Sequence, residues 1–204
     1  MQPFTPKYVY APVLQLDAQK RQAFRNLFTA ILDRPDSSVP SIPYTYPYPK
    51  YEFLNYLIDH HHVLVHGTND MMIDILEPLA ESDKAGVVMR AVFAASDGIW
   101  SMFFAILDRK PYPYSLHHGC RQKPDGAGGL HKEYYFSTST FHDKPWISGM
   151  IYILPRDTFT QQRNGEGELY DEWASYVAVR PLAKLSITPA DFPFLNDVQY
   201  HVHK

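Results

Sequence analysis

Short runs of apolar residues, separated by polar and proline-containing stretches, follow one another along most of this chain. Residues 17–32 have the spacing of an amphipathic helix, because their apolar side chains recur at intervals of three and four. Asp17 precedes the first apolar position and can cap this helix. A second, shorter helix is predicted around Tyr51 to His60.

The middle of the chain combines a compact strand with a very apolar helix. AVFAA, residues 91–95, predicts the strand, and GIWSMFFAIL, residues 98–107, predicts the helix. Because that helix is apolar on nearly every side, we expect it to be buried. Ser96 or Asp97 can serve as its cap.

Strand patterns account for most of the remaining apolar segments. The predicted strands are 63–66, 91–95, 133–140, 149–154, 173–180 and 184–188. Residues 79–88 and 108–132 read as loops, and DFPFL at 191–195 predicts an aromatic plug. Several short strands with few helices predict an α+β domain built on antiparallel sheets.

A segment rich in proline and tyrosine, residues 34–51, follows the first helix. Proline fixes its own φ and supplies no backbone donor, so the segment must be extended or looped. We expect a surface strap that packs its tyrosines on the domain. A polyproline ligand for a partner is the alternative.

Composition and charge are those of an ordinary globular protein. The 204 residues are 45% hydrophobic and 20% charged, with a net charge of -3, so no global attraction to nucleic acid or to a membrane is expected. The sequence shows no signal peptide and no apolar stretch of roughly 20 residues, which predicts a cytoplasmic location. The single cysteine, Cys120, excludes an internal disulfide; we expect it in a polar loop, with a nucleophilic thiol beside His117 or His118 as the alternative.

Three segments combine a strand edge with small or polar residues: VLVHGT at 63–68, AVFAASDGIWSMFFA at 91–105 and ELYDEWASY at 168–176. In this order they resemble the three signature segments of the ADP-ribosyltransferase fold. The nearest branch is the His-Tyr-Glu type of poly(ADP-ribose) polymerases and diphtheria-like toxins. The matching residues are His66-Gly67-Thr68, Val92-Phe93-Ala94 and Tyr170-Asp171-Glu172-Trp173.

The resemblance covers roughly residues 63–188 and implies a fold and an activity. It implies a split antiparallel sheet in a catalytic domain of residues 61–204. Residues 1–60 lie outside the resemblance, and we expect them to form a helical and Pro/Tyr-rich extension packed on that domain. The implied reaction is ADP-ribosyl transfer from NAD with release of nicotinamide, which belongs to the glycosyltransferase class. The acceptor, which could be a protein, a nucleic acid or a small molecule, is not indicated, nor is the oligomeric state.

The resemblance also assigns roles to residues. Glu172 would hold the ribose 2′-hydroxyl and stabilise an oxocarbenium-like transition state. His66 would bind the adenosine-side ribose, and Gly67 would allow the backbone to meet nicotinamide. The full predicted set is catalytic Glu172 and His66, with His66, Gly67, Thr68, Phe93, Ala94, Ser101 and Phe104 binding NAD. We expect Glu172 and His66 to lie within roughly 15 Å of each other.

Two features of the sequence leave alternatives open, one at Val92 and one at a pair of glutamates. Val92 stands where the family has a stacking tyrosine, so Phe93 would have to replace that ring. Glu166 and Glu168 form a Glu-x-Glu pair of the spacing that arginine-modifying relatives use.

Other functions remain possible beside NAD-dependent transfer. The chain could hydrolyse NAD, or keep the fold as a non-catalytic binding or interaction module. An RNA 2′-phosphotransferase is disfavoured because the expected arginine and histidine set is missing. His60, His61 and His62 suit a helix C-terminus better than a metal site, so no metal is predicted.

Overall fold

The computed structural model describes residues 5–12, 14–32, 38–82, 88–108, 115–124, 130–139, 145–163 and 169–201. Within these residues the chain is an α+β fold of three α-helices and two mostly antiparallel sheets, as the sequence predicts. The helices are α1 (Ala18–Leu32), α2 (Lys50–His60) and α3 (Gly98–Ile106). The strands are β1 (Val9–Tyr10), β2 (Val63–Thr68), β3 (Leu79–Ser82), β4 (Val88–Ala95), β5 (Leu116–Pro124), β6 (Leu130–Thr138), β7 (Gly149–Pro155), β8 (Thr160–Arg163), β9 (Leu169–Ser175), β10 (Ala183–Ile187) and β11 (Gln199–Tyr200).

The larger sheet has seven strands in the order β10-β7-β2-β4-β9-β8, and β3 also pairs with β4. In the smaller sheet β6 is central, with β5 along one edge and β1 and β11 along the other. No helix in the described ranges is long and apolar enough to cross a membrane.

A break in the hydrogen-bonded ladder divides the larger sheet near its middle. β2 pairs with β7 over its whole length, whereas the described pairing between β2 and β4 consists of Val65 opposite Ala95. Among the described residues, no further backbone pair joins these two strands. The gap that they leave is the place where a ligand could enter the sheet.

The main core lies between the helices and both sheets. Phe24 and Phe28 of α1, Phe53 of α2, Phe103 of α3 and Phe136 of β6 belong to one buried cluster. On the other face of the larger sheet, a smaller core gathers Leu64, Val92, Tyr152, Leu154 and Trp173. Burial of these aromatic and aliphatic side chains is the main source of stability for such a fold.

The proline-rich strap lies on this core through its tyrosines. The Tyr44 ring lies 5.5 Å from that of Phe53, and the Tyr48 ring lies 5.8 Å from that of Phe24. The strap also covers one sheet edge, because the Ile42 amide donates to the carbonyl of Lys184 in β10. The edge strand is thereby protected from pairing with another chain.

Several predicted elements are confirmed at close to their predicted bounds. Asp17 caps α1 by accepting from the Lys20 amide at 2.7 Å, and Asp97 caps α3 by accepting from the Trp100 amide at 2.7 Å. The helix α3 is buried on nearly all sides. Phe192 and Phe194 are buried in the main core, as expected of an aromatic plug.

Three predictions about loops and strands are wrong. Residues 79–88 contain strand β3 and the start of β4, and residues 108–132 contain all of β5 and the start of β6. The strand predicted for residues 173–180 ends at Ser175. β5 carries charges, a glycine and a proline, and it is extended because all nine of its residues pair with β6.

Two glycines allow α3 to lie unusually close to the larger sheet. A Cβ at Gly67 would lie 1.9 Å from the carbonyl oxygen of Ser101, and a Cβ at Gly149 would lie 1.9 Å from that of Ala105. Both obstacles are helix backbone, which cannot rotate away. The glycine after His66 therefore has a packing role of its own, in addition to any role in binding.

Gly67→Ala is expected to destabilise the protein by about 2–3 kcal/mol, because α3 must move away from β2 to admit the methyl group. Urea unfolding measures the change. Gly119→Ala is the matched control, since its Cβ would meet the ring of half-buried Tyr135 and a side chain can shift. Equal losses in the two variants would contradict the packing role of Gly67.

Candidate functional site

A cavity of about 560 Å³ opens where β2 and β4 separate. Its size falls within the range of small-molecule sites, about 300–1,000 Å³. All eight predicted site residues line it: His66, Gly67, Thr68, Phe93, Ala94, Ser101, Phe104 and Glu172. Segments from distant parts of the sequence thus meet at one site.

His66 bridges the gap between the two separated strands. Its Nδ1 lies 2.7 Å from the carbonyl oxygen of Phe93 in β4. Because a carbonyl can only accept, Nδ1 carries the proton, and in the neutral ring Nε2 is the hydrogen-bond acceptor. This tautomer suits a ligand hydroxyl that donates to Nε2.

Glu172 lies two strands away from His66 across the sheet. Ala95 pairs with Val65 on one side and with Glu172 on the other. With a strand spacing of about 4.8 Å, the Cα atoms of Val65 and Glu172 are about 10 Å apart. His66 follows Val65 directly, so the backbones of His66 and Glu172 lie within the separation of roughly 15 Å that the sequence analysis expects.

Helix α3 forms the second wall of the cavity and is fixed at its N-terminus. The Gly98 amide donates to Oδ1 of Asn55 at 2.8 Å, beside the Asp97 cap. Ser101 is buried, and its hydroxyl donates to the Val65 carbonyl over 3.4 Å. Phe104 is half-buried and lines the cavity one turn further along.

A third wall comes from β5 of the smaller sheet, and the sequence analysis assigned no such role to it. Alternate residues of a strand share a face, and Leu116 and His118 both line the cavity. The indole Nε1 of Trp100 donates to Nδ1 of His118 at 3.1 Å. Because the sequence predicts a loop for this segment, neither strand β5 nor the cavity position of His118 was predicted.

Val92 does not supply an aromatic platform. It is 3% exposed and belongs to the smaller core, although it also touches the cavity. Phe93, the proposed replacement ring, is half-buried and lines the cavity. The aromatic side chains around the cavity are Phe93, Trp100, Phe104 and His118.

Successive residues of β9 point in opposite directions, which separates Asp171 from Glu172. Glu172 is half-buried in the cavity wall. Asp171 instead accepts from the Ser96 hydroxyl at 2.9 Å and lies 3.2 Å from the Lys132 ammonium. The strand that presents Glu172 is thus anchored by the residue before it.

Lys132 joins Asp171 to the N-terminus of α3. Its ammonium lies 2.9 Å from Oδ2 of Asp97, whose side chain is fully buried. The Tyr134 hydroxyl donates to the same Asp97 oxygen at 2.9 Å. The two aspartates raise the pKa of Lys132 well above its usual value despite the opposing effect of burial, so the group is a cation.

The same place holds a set of metal-type ligands. Among the described residues, Asp97, Cys120 and Asp171 form a group whose ligand atoms all lie within 4.8 Å of one another. The Lys132 ammonium already contacts both carboxylates, at 2.9 and 3.2 Å. We interpret the group as a buried ion network, with lysine as its cation.

Cys120 belongs to this network and is not a loop residue. It lies on β5, is 1% exposed, and donates from Sγ to Oδ2 of Asp171 at 3.2 Å. Burial, together with Asp97 and Asp171, raises the pKa of the thiol well above its usual value. The polar-loop prediction for Cys120 is therefore wrong, and the burial and raised pKa of the thiol argue against the nucleophilic alternative.

The charged groups on the cavity wall are acidic. Asp70, Glu77 and Glu172 line it, and none of the described lining residues is a lysine or an arginine. A carboxylate-rich wall favours a ligand that carries or develops positive charge. The Glu166 and Glu168 pair lies outside the described residues.

The site is thus a cavity in a split sheet, walled by β2, β4, β9, α3 and β5, with two glutamates and two histidines among its polar side chains. Its ion network joins Asp171 of β9, through Lys132, to Asp97 at the N-terminus of α3. Comparisons of the chain with protein-family models, with curated proteins and with solved structures found no match.

Proposed function

We propose that the protein binds NAD in the split-sheet cavity and cleaves its nicotinamide–ribose bond, transferring ADP-ribose to an acceptor. The observation that carries this proposal is that all eight residues predicted for an NAD site line one cavity. These residues come from three separate segments of the sequence. A chance resemblance of three short motifs would not require their side chains to converge.

The reaction needs little more than the groups present. The bond between ribose C1′ and the pyridinium nitrogen breaks, and nicotinamide leaves as a neutral molecule with the bonding electron pair. The ribose becomes oxocarbenium-like, and an acceptor nucleophile then bonds to C1′ and loses its proton. In this proposal Glu172 binds the 2′-hydroxyl and stabilises the cation, since preorganised charge is most effective where charge develops.

The acidic wall supports the nicotinamide end of this assignment. The nicotinamide ring of NAD is a cation, and the transition state moves positive charge onto the ribose. Asp70, Glu77 and Glu172 have the complementary sign. His66, with Nδ1 bonded to Phe93, presents the acceptor tautomer that a ribose hydroxyl requires.

Incubation with NAD labelled in the nicotinamide ring tests the proposal. We expect time-dependent release of free nicotinamide and an NAD-dependent rise in melting temperature. A second experiment uses NAD labelled in its ADP-ribose part, together with candidate acceptors. Transfer labels the acceptor and hydrolysis does not, so the two reactions are distinguished. If no nicotinamide is released and NAD does not raise the melting temperature, the proposal is overturned.

A binding module without catalysis is the second candidate, and exposed apolar residues beside the cavity favour it. Ile75 and Leu79 line the cavity yet are 49% and 58% exposed, and nearby Met72 is 81% exposed. Apolar side chains around a cavity mouth are typical of interaction sites. An NAD-dependent thermal shift without nicotinamide release would favour this candidate.

A further inference from the structure

The second histidine of the cavity, His118, has a defined hydrogen-bonding state. The indole N–H of Trp100 can only donate, and it points at Nδ1 of His118 from 3.1 Å. Nδ1 must therefore accept, so the neutral imidazole carries its proton on Nε2. His66 has the opposite tautomer, because its Nδ1 donates to a carbonyl.

Aromatic neighbours fix the orientation of the His118 ring. The Phe104 ring meets it nearly perpendicularly, with an interplanar angle of 84° and a centroid distance of 4.9 Å. The Trp100 ring lies 5.7 Å away at 44°. Both neighbours belong to α3, the wall that also carries Ser101. The His118 ring is thus held by its contacts with α3 and by the hydrogen bond from Trp100. The position of its Nε2 donor is therefore set before a ligand binds.

The position of His118 indicates which part of the ligand it meets. The family resemblance implies that Ser101 and Phe104 bind and stack nicotinamide, and His118 lies against Phe104 and lines the same cavity. Ser101 uses its hydroxyl to donate to Val65, and Trp100 uses its N–H to donate to His118. A carboxamide oxygen bound here needs a donor, and the His118 tautomer supplies one.

We propose that His118 is a ligand-binding residue that donates from Nε2 to the carboxamide oxygen of nicotinamide. This inference rests on the proposed function and extends it with a residue from the smaller sheet. His118 recognises an amide oxygen by its fixed donor, while His66 recognises a hydroxyl by its fixed acceptor. The two tautomers give the cavity a direction, with distinct ends for the nicotinamide and adenosine halves.

Three substitutions at one position test the donor. Asparagine places its amide near the Nδ1 position and can still accept from Trp100, but its side chain does not reach the Nε2 position. Glutamine reaches the Nε2 position with an amide N–H, and phenylalanine keeps an aromatic ring without a donor. Nicotinamide and ADP-ribose serve as separate probes, because neither is consumed.

We expect His118→Asn and His118→Phe to weaken nicotinamide binding about five- to tenfold, the usual effect of losing one hydrogen bond to a neutral group. His118→Gln should stay within about twofold of wild type, and ADP-ribose binding should change less than about twofold in all three. Calorimetric titration gives the affinities, and melting temperatures show that each variant is folded.

The outcomes separate this inference from the proposed function. If wild type binds neither nicotinamide nor ADP-ribose, the proposed function fails and this inference falls with it. If wild type binds both and His118→Asn and His118→Phe bind nicotinamide as tightly, only the role of His118 is overturned. Equal weakening of both probes would also overturn it, because it would indicate general damage to the cavity. If the asparagine variant does not fold, the phenylalanine and glutamine variants decide the question.

Discussion

Glu172→Gln is expected to slow nicotinamide release from NAD about 10²- to 10³-fold, the effect of removing one preorganised group that meets developing charge. Glutamine keeps the size of the side chain but cannot neutralise an oxocarbenium-like ribose. Because glutamine has the shape of the half-buried Glu172 side chain and can keep its neutral contacts, the melting temperature should change little. Single-turnover release of labelled nicotinamide measures the effect on the chemical step.

Two control variants make this result specific. Asp157→Asn removes an exposed carboxylate that lies 3.7 Å from His62 and should leave the rate within about twofold of wild type. Glu168→Gln tests the Glu-x-Glu pair. A large loss in Glu168→Gln with little loss in Glu172→Gln would move the catalytic carboxylate from β9 to that pair.

Lys132→Met is expected to lower the free energy of unfolding by about 3–5 kcal/mol, because it leaves two inward-facing carboxylates without their cation. The side chain of Asp97 is 0% exposed and that of Asp171 is 12% exposed. Neither can be rehydrated without opening the joint between α3, β6 and β9. Urea unfolding at neutral pH measures the loss.

Lys7→Met is the matched control for this prediction. Lys7 forms an ion pair of 2.8 Å with Asp197, but the two side chains are 60% and 38% exposed. Such a surface pair typically contributes about 0–1 kcal/mol. Replacing Asp171 by Asn in the Lys132→Met protein should recover part of the stability, since one unpaired charge is removed. Equal losses in Lys132→Met and Lys7→Met would show that the network is not stabilising.

The parts of the fold that the sequence predicted well have local signals. The apolar spacing of α1 and α3 lies within each segment, and their caps, Asp17 and Asp97, directly precede the helices. β5 has no such signal, because its strand conformation comes from pairing with β6. Pairing partners are a property of the whole fold, so a polar strand of this kind reads as a loop.

The residues of the candidate site also fall into those with a local sequence signal and those without one. His66, Ser101 and Glu172 could be predicted to share one cavity because each lies in a short segment that resembles a family signature. His118 was missed as a cavity residue because it lies on β5. The Asp97–Lys132–Asp171 network was missed because its members are far apart in sequence and nothing near Lys132 indicates a buried cation.

The adjacency of Asp171 and Glu172 on β9 has a consequence for how this site can vary. A shift of β9 by one residue would place either Asp171 in the cavity with Tyr170 against Lys132, or Glu172 against Lys132 with Trp173 in the cavity. The ion pair to Lys132 opposes that shift, because the shorter aspartate is the side chain that fits the network. The ion pair that holds Asp171 therefore also fixes which carboxylate of β9, Glu172, lies in the cavity wall.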